Sequence, residues 1–152
     1  MKIEKSIEIS RKDTEVFDYL KLTKNQDNFS IWNMADPGMK KEYRGTDGTI
    51  GFIYGWDSTN KNVGAGEQET KEIVKGKSIQ FEVRFFRPMQ NTGKAIFLLN
   101  KKAENLTEVS WIFDSRSKFP YSLFAPFFKR MMGKDLEKGL VNLKDILEKK
   151  KG

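Results

Sequence analysis

Apolar and polar residues alternate with a period of two through most of the first three-quarters of the chain, the signature of half-buried strands. The clearest run sets Ile79, Phe81, Val83 and Phe85 against Gln80, Glu82 and Arg84, which places Arg84 on the outward face. Residues 2 to 9 alternate likewise, with Ile7 and Ile9 opposed to Ser6 and Glu8. Residues 47 to 57 read as a turn and a strand carrying Ile50, Phe52, Tyr54 and Trp56 on one face, with Gly51 and Gly55 opposite. Met39 to Arg44, Val63 to Val74, Lys94 to Lys102 and Thr107 to Phe113 complete the strand set. Turn residues separate them at Asp36-Pro37-Gly38, Gly45 to Gly48, Asp57 to Asn62, Lys75-Gly76-Lys77, Pro88 to Thr92 and Glu104-Asn105. This spacing predicts a meandering antiparallel sheet.

Two stretches depart from that period. After the first strand, Ser10 is expected to cap a helix, with Asp13 as a weak capping-box acid. Val16, Phe17 and Leu20 form its narrow apolar stripe, which ends near Leu22, and Thr23 to Asn28 follows as a polar short helix or loop. From Tyr121 the spacing becomes helical, and Leu136, Leu140, Leu143 and Leu147 fall at i, i+4, i+7 and i+11. A long helix from Tyr121 to about Lys149 is expected, disturbed locally by Pro126 and Gly133. Its first half, Tyr121 to Met132, is apolar almost all round, which implies contacts on more than one side.

Composition narrows the chemistry. The 152 residues suffice for one domain, expected to span 1–152, and 38% hydrophobic with 32% charged residues fits a globular chain. No apolar run approaches the roughly 18 residues of a spanning helix, and the alternating start does not resemble a signal peptide, so a cytoplasmic address is expected. The chain has no cysteine and no histidine. Disulfides, thiol nucleophiles and serine–histidine arrangements are therefore excluded, and neither a metal nor a cofactor is expected. The net charge of +7 is dispersed among acidic residues with no accompanying binding motif, so no nucleic-acid partner and no stable membrane insertion are expected.

The aromatic residues carry the functional suggestion. Trp32, Phe52, Tyr54, Trp56, Phe81, Phe85, Phe97 and Trp111, with Phe127 and Met131 from the helix, can pack a core or line a small-molecule pocket. Gln68 and Thr70 either add polar groups to such a pocket or face water from an edge strand. Asp36, Asp57 and Asp114 suit turns and strand ends more than catalysis, and Arg116 could reach a cavity mouth.

Several stretches share a known pattern. These are Trp32, Asp36-Pro37-Gly38-Met39-Lys40, Gly48-x-Ile50-Gly51-x-x-Tyr54-x-Trp56 and Gly64-x-Gly66-x-Gln68, followed by Phe85-x-x-Pro88, Thr107-x-Val109-x-Trp111 and Gly139-Leu140-x-x-Leu143-Lys144. In order and spacing they resemble bacterial members of the START-like superfamily, the SRPBCC group of polyketide cyclase/dehydrase and lipid-transport proteins. The resemblance covers essentially the whole chain. It implies an α+β helix-grip fold, in which a curved antiparallel sheet of about seven strands surrounds a long C-terminal helix and encloses a cavity. It also implies a hydrophobic small-molecule ligand, lipid or polyketide-like. Two alternatives stand beside carriage of that ligand: a cyclase or dehydratase without metal or cofactor, and a protein-interaction module like the chaperone activators of the superfamily. The absence of histidine weighs against the enzyme, and the aromatic set weighs against the interaction module.

Overall fold

A computed structural model describes residues 2–61, 63–87, 90–115 and 125–149, the last segment with side chains from residue 130 onward. Seven strands and three α-helices follow in order: β1 (Lys2–Ile9), α1 (Asp13–Leu20), a 3₁₀ segment (Thr23–Asn28), α2 (Ile31–Met34), β2 (Lys40–Arg44), β3 (Ile53–Asp57), β4 (Ala65–Val74), β5 (Ser78–Arg87), β6 (Asn91–Ala103), β7 (Leu106–Ser115) and α3 (Ala125–Lys149). The strands form one sheet in the order β1-β7-β6-β5-β4-β3-β2, antiparallel throughout. Strands β2 to β7 thus run as a meander, and β1 closes onto β7 at the far edge.

The period-two pattern decides which face is buried. Phe81, Phe97, Val109 and Trp111 point to the inner side, while Glu67, Glu69, Glu82 and Arg84 lie on the outer side. Arg84 reaches all three carboxylates at 2.6–3.3 Å, so its outward placement agrees with the alternation. Burial raises the Glu69 pKa, but hydrogen bonds from Arg84 and Lys71 outweigh it and hold the carboxyl below its usual range.

Helix α3 lies along β1 and buries its leucine stripe, Leu136, Leu140, Leu143 and Leu147, each at no more than 1% exposure. These leucines share one core cluster with Ile3, Ile9, Phe29, Phe81, Phe97, Val109 and Trp111. The end of α3 is tied to the β1–α1 junction. Ser10 N–H donates to Glu148 Oε2 at 2.7 Å, and Arg11 donates to the carbonyls of Leu147 and Glu148 at 2.8 and 2.9 Å. Those bonds satisfy carbonyls that a helix C-terminus leaves without intrahelical partners.

Four expectations need correction. Ser10 does not cap α1: Lys12 holds the cap position without a side-chain bond, and Ser10 is committed to Glu148. Helix α1 stops at Leu20 rather than Leu22. Ile50 does not share a strand face with Phe52, because β3 begins only at Ile53. Gly48 and Gly51 take φ of +87° and +95°, so the chain is still turning there and leaves Ile50 64% exposed. Asp47 in the same loop accepts the backbone N–H groups of Thr23 and Lys24 at 2.7 and 3.1 Å, which fastens the loop to the 3₁₀ segment. Finally, α3 runs unbroken through Gly133, with Pro126 in its first turn where its missing N–H costs nothing. Tyr121, Pro88 and Arg116 lie outside the described residues.

Candidate functional site

The inner face of β3–β7, α2 with the chain on either side of it, and the start of α3 bound a pocket of about 340 Å³. All three tryptophans of the chain, Trp32, Trp56 and Trp111, line it. Each is held by a different element. Trp32, on the short helix α2, is buttressed edge-on by Trp111 at 5.8 Å, and its indole N–H donates to Asp135 Oδ2 of α3 at 3.2 Å. Trp56, on β3, meets Phe85 at 6.0 Å and donates to the Val63 carbonyl at 3.4 Å. Its ring lies over Gly66, its register partner on β4, where an added Cβ would come within 2.7 Å of the indole. Trp111 packs at 4.9 Å, tilted by 32°, on Phe97, which belongs to the core behind it. The N–H groups of Trp32 and Trp56 are therefore taken by protein acceptors, so these two rings meet the pocket as apolar surface.

Of the remaining sequence candidates, Tyr54, Gln68, Phe85 and Met131 line the same pocket. Phe52, Thr70, Phe81 and Phe97 do not. Phe81 and Phe97 are fully buried and pack edge-on at 6.1 Å in the core. Phe52 is buried beneath Tyr43 at 6.2 Å, and Thr70 is buried with its hydroxyl 3.4 Å from that of Thr23. The Phe127 side chain lies outside the described residues. Gln68 is 8% exposed and faces inward, so it does not meet water from an edge. Asp36 makes the turn expected of it, accepting the Gly38 N–H at 3.1 Å, and Asp57 forms an exposed ion pair with Arg87 at 2.5 Å.

One wall is polar, and the sequence marked only part of it. The Tyr54 hydroxyl donates to Asp27 Oδ1. Asn33 donates to the same oxygen at 3.2 Å, and Lys41 pairs with Oδ2 at 2.9 Å. Burial, then the bond and charge of Asp27, raise the Tyr54 hydroxyl far above its ordinary pKa, so the phenol is neutral at any physiological pH. Beside it, Gln68 Nε2 donates to Gln26 Oε1 at 3.2 Å. Gln26 is 4% exposed and lines the pocket, and its Nε2 is buried without a hydrogen-bond partner among the described residues. Gln26 and Asp27 sit in the stretch that reads as a polar short helix or loop, and Asn33 follows Trp32 with no signal of its own, because their burial comes from the 3₁₀ segment and α2 packing over the sheet. Met39, Met132 and Phe113 also line the pocket; the sequence places them in a strand start, the last helix and a strand but does not single them out as site residues. Among the described residues no cluster of three carboxylates is placed to hold a metal ion. No described helix is long and apolar enough to cross a membrane.

No family model matches the chain, and no curated protein sequence matches it. Solved structures do. Protein MLL2253 from Mesorhizobium loti superposes with a TM-score of 0.72 at 11% identity, covering 100% of both chains. Norcoclaurine synthase from Thalictrum flavum, solved in complex with dopamine and hydroxybenzaldehyde, gives a TM-score of 0.70 at 11% identity, over 100% of this chain and 89% of that one. The Aha1 dimer from Colwellia psychrerythraea gives 0.67 at 17% identity, over 100% and 99%. The chain has the helix-grip fold of these structures, the fold that its sequence pattern suggests. At these identities the likeness is one of fold.

Proposed function

We propose that the chain binds a hydrophobic small molecule in the pocket between the sheet and α3. The observation that carries this reading is the convergence of all three tryptophans on one pocket of about 340 Å³, within the size range of small-molecule sites. A packed core would close over such rings, whereas here they leave space with a polar wall on one side. Burying about 300 Å² of ligand surface at about 25 cal/mol per Å² gives about 7 kcal/mol. Immobilisation subtracts from this, which puts affinity in the micromolar range or weaker. That a neighbour of the same fold was solved with two small aromatic molecules agrees with this reading.

The Tyr54–Asp27–Lys41 arrangement favours a second reading, in which a bound molecule is cyclised or dehydrated. It is the weaker of the two. A catalytic acid or base works best with a pKa near the operating pH, and Tyr54 is held far above it. Its hydroxyl is suited to orienting a ligand more than to exchanging protons.

Native mass spectrometry of the protein purified from its own host tests the proposal, together with titration of tryptophan emission by the neutral dye N-phenyl-1-naphthylamine. A small apolar adduct that leaves on denaturation, and saturable quenching by the dye, are expected. An adduct-free protein whose emission the dye does not change refutes it.

A further inference from the structure

The lining of the pocket also limits what its occupant can be, if the binding reading above holds. Among the described residues that line it, none carries a formal charge. The nearby carboxylate of Asp27 is already matched by Lys41 at 2.9 Å and by the Tyr54 and Asn33 donors. A charged head group would lose its hydration there and meet no counter-charge, a cost that a neutral donor does not offset.

The wall nevertheless has one unmet demand. Gln26 Oε1 accepts from Gln68, but Gln26 Nε2 is buried without a partner among the described residues. Buried polar groups are nearly always hydrogen-bonded, and an unsatisfied donor costs more than a typical hydrogen bond contributes. The amide belongs to a residue of the pocket wall and is joined to Gln68, another residue of that wall.

We infer that the ligand is an uncharged, mainly apolar molecule carrying an acceptor oxygen of the carbonyl type, and that Gln26 Nε2 donates to that oxygen while the tryptophans enclose the apolar body. A ketone, ester, amide or quinone meets both conditions. A free carboxylic acid, ionised at neutral pH, meets only the second.

Three probes with the same ring and different heads separate the possibilities: 2-acetonaphthone, 2-ethylnaphthalene and 2-naphthoate, titrated at pH 7 against tryptophan emission and by calorimetry. The ketone is expected to bind about tenfold tighter than the ethyl compound and at least tenfold tighter than the carboxylate. In the double variant Gln26→Leu with Gln68→Leu, the ketone and ethyl compounds are expected to bind within about twofold of each other. Replacing both partners of a buried hydrogen bond by apolar groups of similar shape is close to neutral for stability. Should that variant fail to fold, the three-probe series on the wild type decides alone. Equal binding of the ketone and ethyl compounds, naphthoate binding as tightly as the ketone, or a ketone preference that survives in a folded double variant each overturns this inference and leaves the carrier reading standing. Failure of all three probes to bind overturns the carrier reading, and this inference with it.

Discussion

Two glycines of α3 make the packing account quantitative, because the same substitution is expected to act in opposite directions at each. Replacing a helix-interior glycine by alanine ordinarily gains about 0.8–1 kcal/mol. At Gly139 the new Cβ would stand 2.8 Å from Trp111 Cζ3 and 3.4 Å from the Phe29 carbonyl oxygen. Phe97, Phe29 and Trp32 hold the indole at 4.9, 5.6 and 5.8 Å, so it can yield only toward the pocket that it lines and only by breaking these ring contacts. Overpacking of a well-packed contact costs about 1–3 kcal/mol. The net expectation for Gly139→Ala is therefore a loss of about 1 kcal/mol, or about 2–4 °C in melting temperature. At Gly133 the new Cβ would meet Lys5 Cε at 3.2 Å, the far end of a flexible side chain that can move aside. Propensity then dominates, and Gly133→Ala is expected to stabilise by about 0.5 kcal/mol. Urea denaturation of both variants, read by far-ultraviolet circular dichroism, measures the difference. A Gly139→Ala protein as stable as wild type, or a Gly133→Ala protein less stable than Gly139→Ala, refutes the placement of α3 against β7 and β1.

Two further expectations concern pH. Hydrogen bonds from Lys144 and the Ser10 N–H lower the Glu148 pKa, so its stabilising contribution is present above the ordinary carboxylate range and disappears as pH falls through the lowered value. Glu148→Gln should cost less than about 1 kcal/mol at pH 7, given the exposure of the group, and less at pH 3 than at pH 7. A cost that is the same at both values contradicts the assignment. Tyr54 has the opposite sign: with its pKa raised, its contribution is complete below about pH 10 and falls above it, by about 1.4 kcal/mol per pH unit. The stability gap between wild type and Tyr54→Phe should accordingly shrink between pH 10 and 11, and a constant gap would show that the Tyr54–Asp27 bond is not formed.

The fold was largely legible because strand alternation and the leucine stripe are strong, long-range periodicities: the face of every residue from Ile79 to Phe85 and of every leucine from Leu136 to Leu147 follows from spacing alone. Positions governed by local backbone geometry were less legible. Ile50 looked like a strand residue because the apolar pattern continues through it, and only the two positive-φ glycines end the strand short of it. In the site, the inner-face aromatics were identified as a set, but spacing could not separate those that face space, such as Trp56 and Phe85, from those sealed behind them, such as Phe81 and Phe97. That division depends on where α2 and α3 cross the sheet. Gln26 and Asp27 were illegible for the same reason, since a polar residue in a connecting segment becomes a pocket group only when its segment is folded over the sheet.

The convergence of the three tryptophans on one ligand-holding pocket is tested most directly by nuclear magnetic resonance. Each indole N–H gives a separate signal, and three are expected from this chain. On titration with 2-acetonaphthone the signals of Trp32, Trp56 and Trp111 should all shift, saturating with one common dissociation constant, while exposed residues of the outer face around Arg84 stay in place. Three indole signals that remain unmoved at saturating probe, or that shift with unrelated constants, would contradict a single binding pocket.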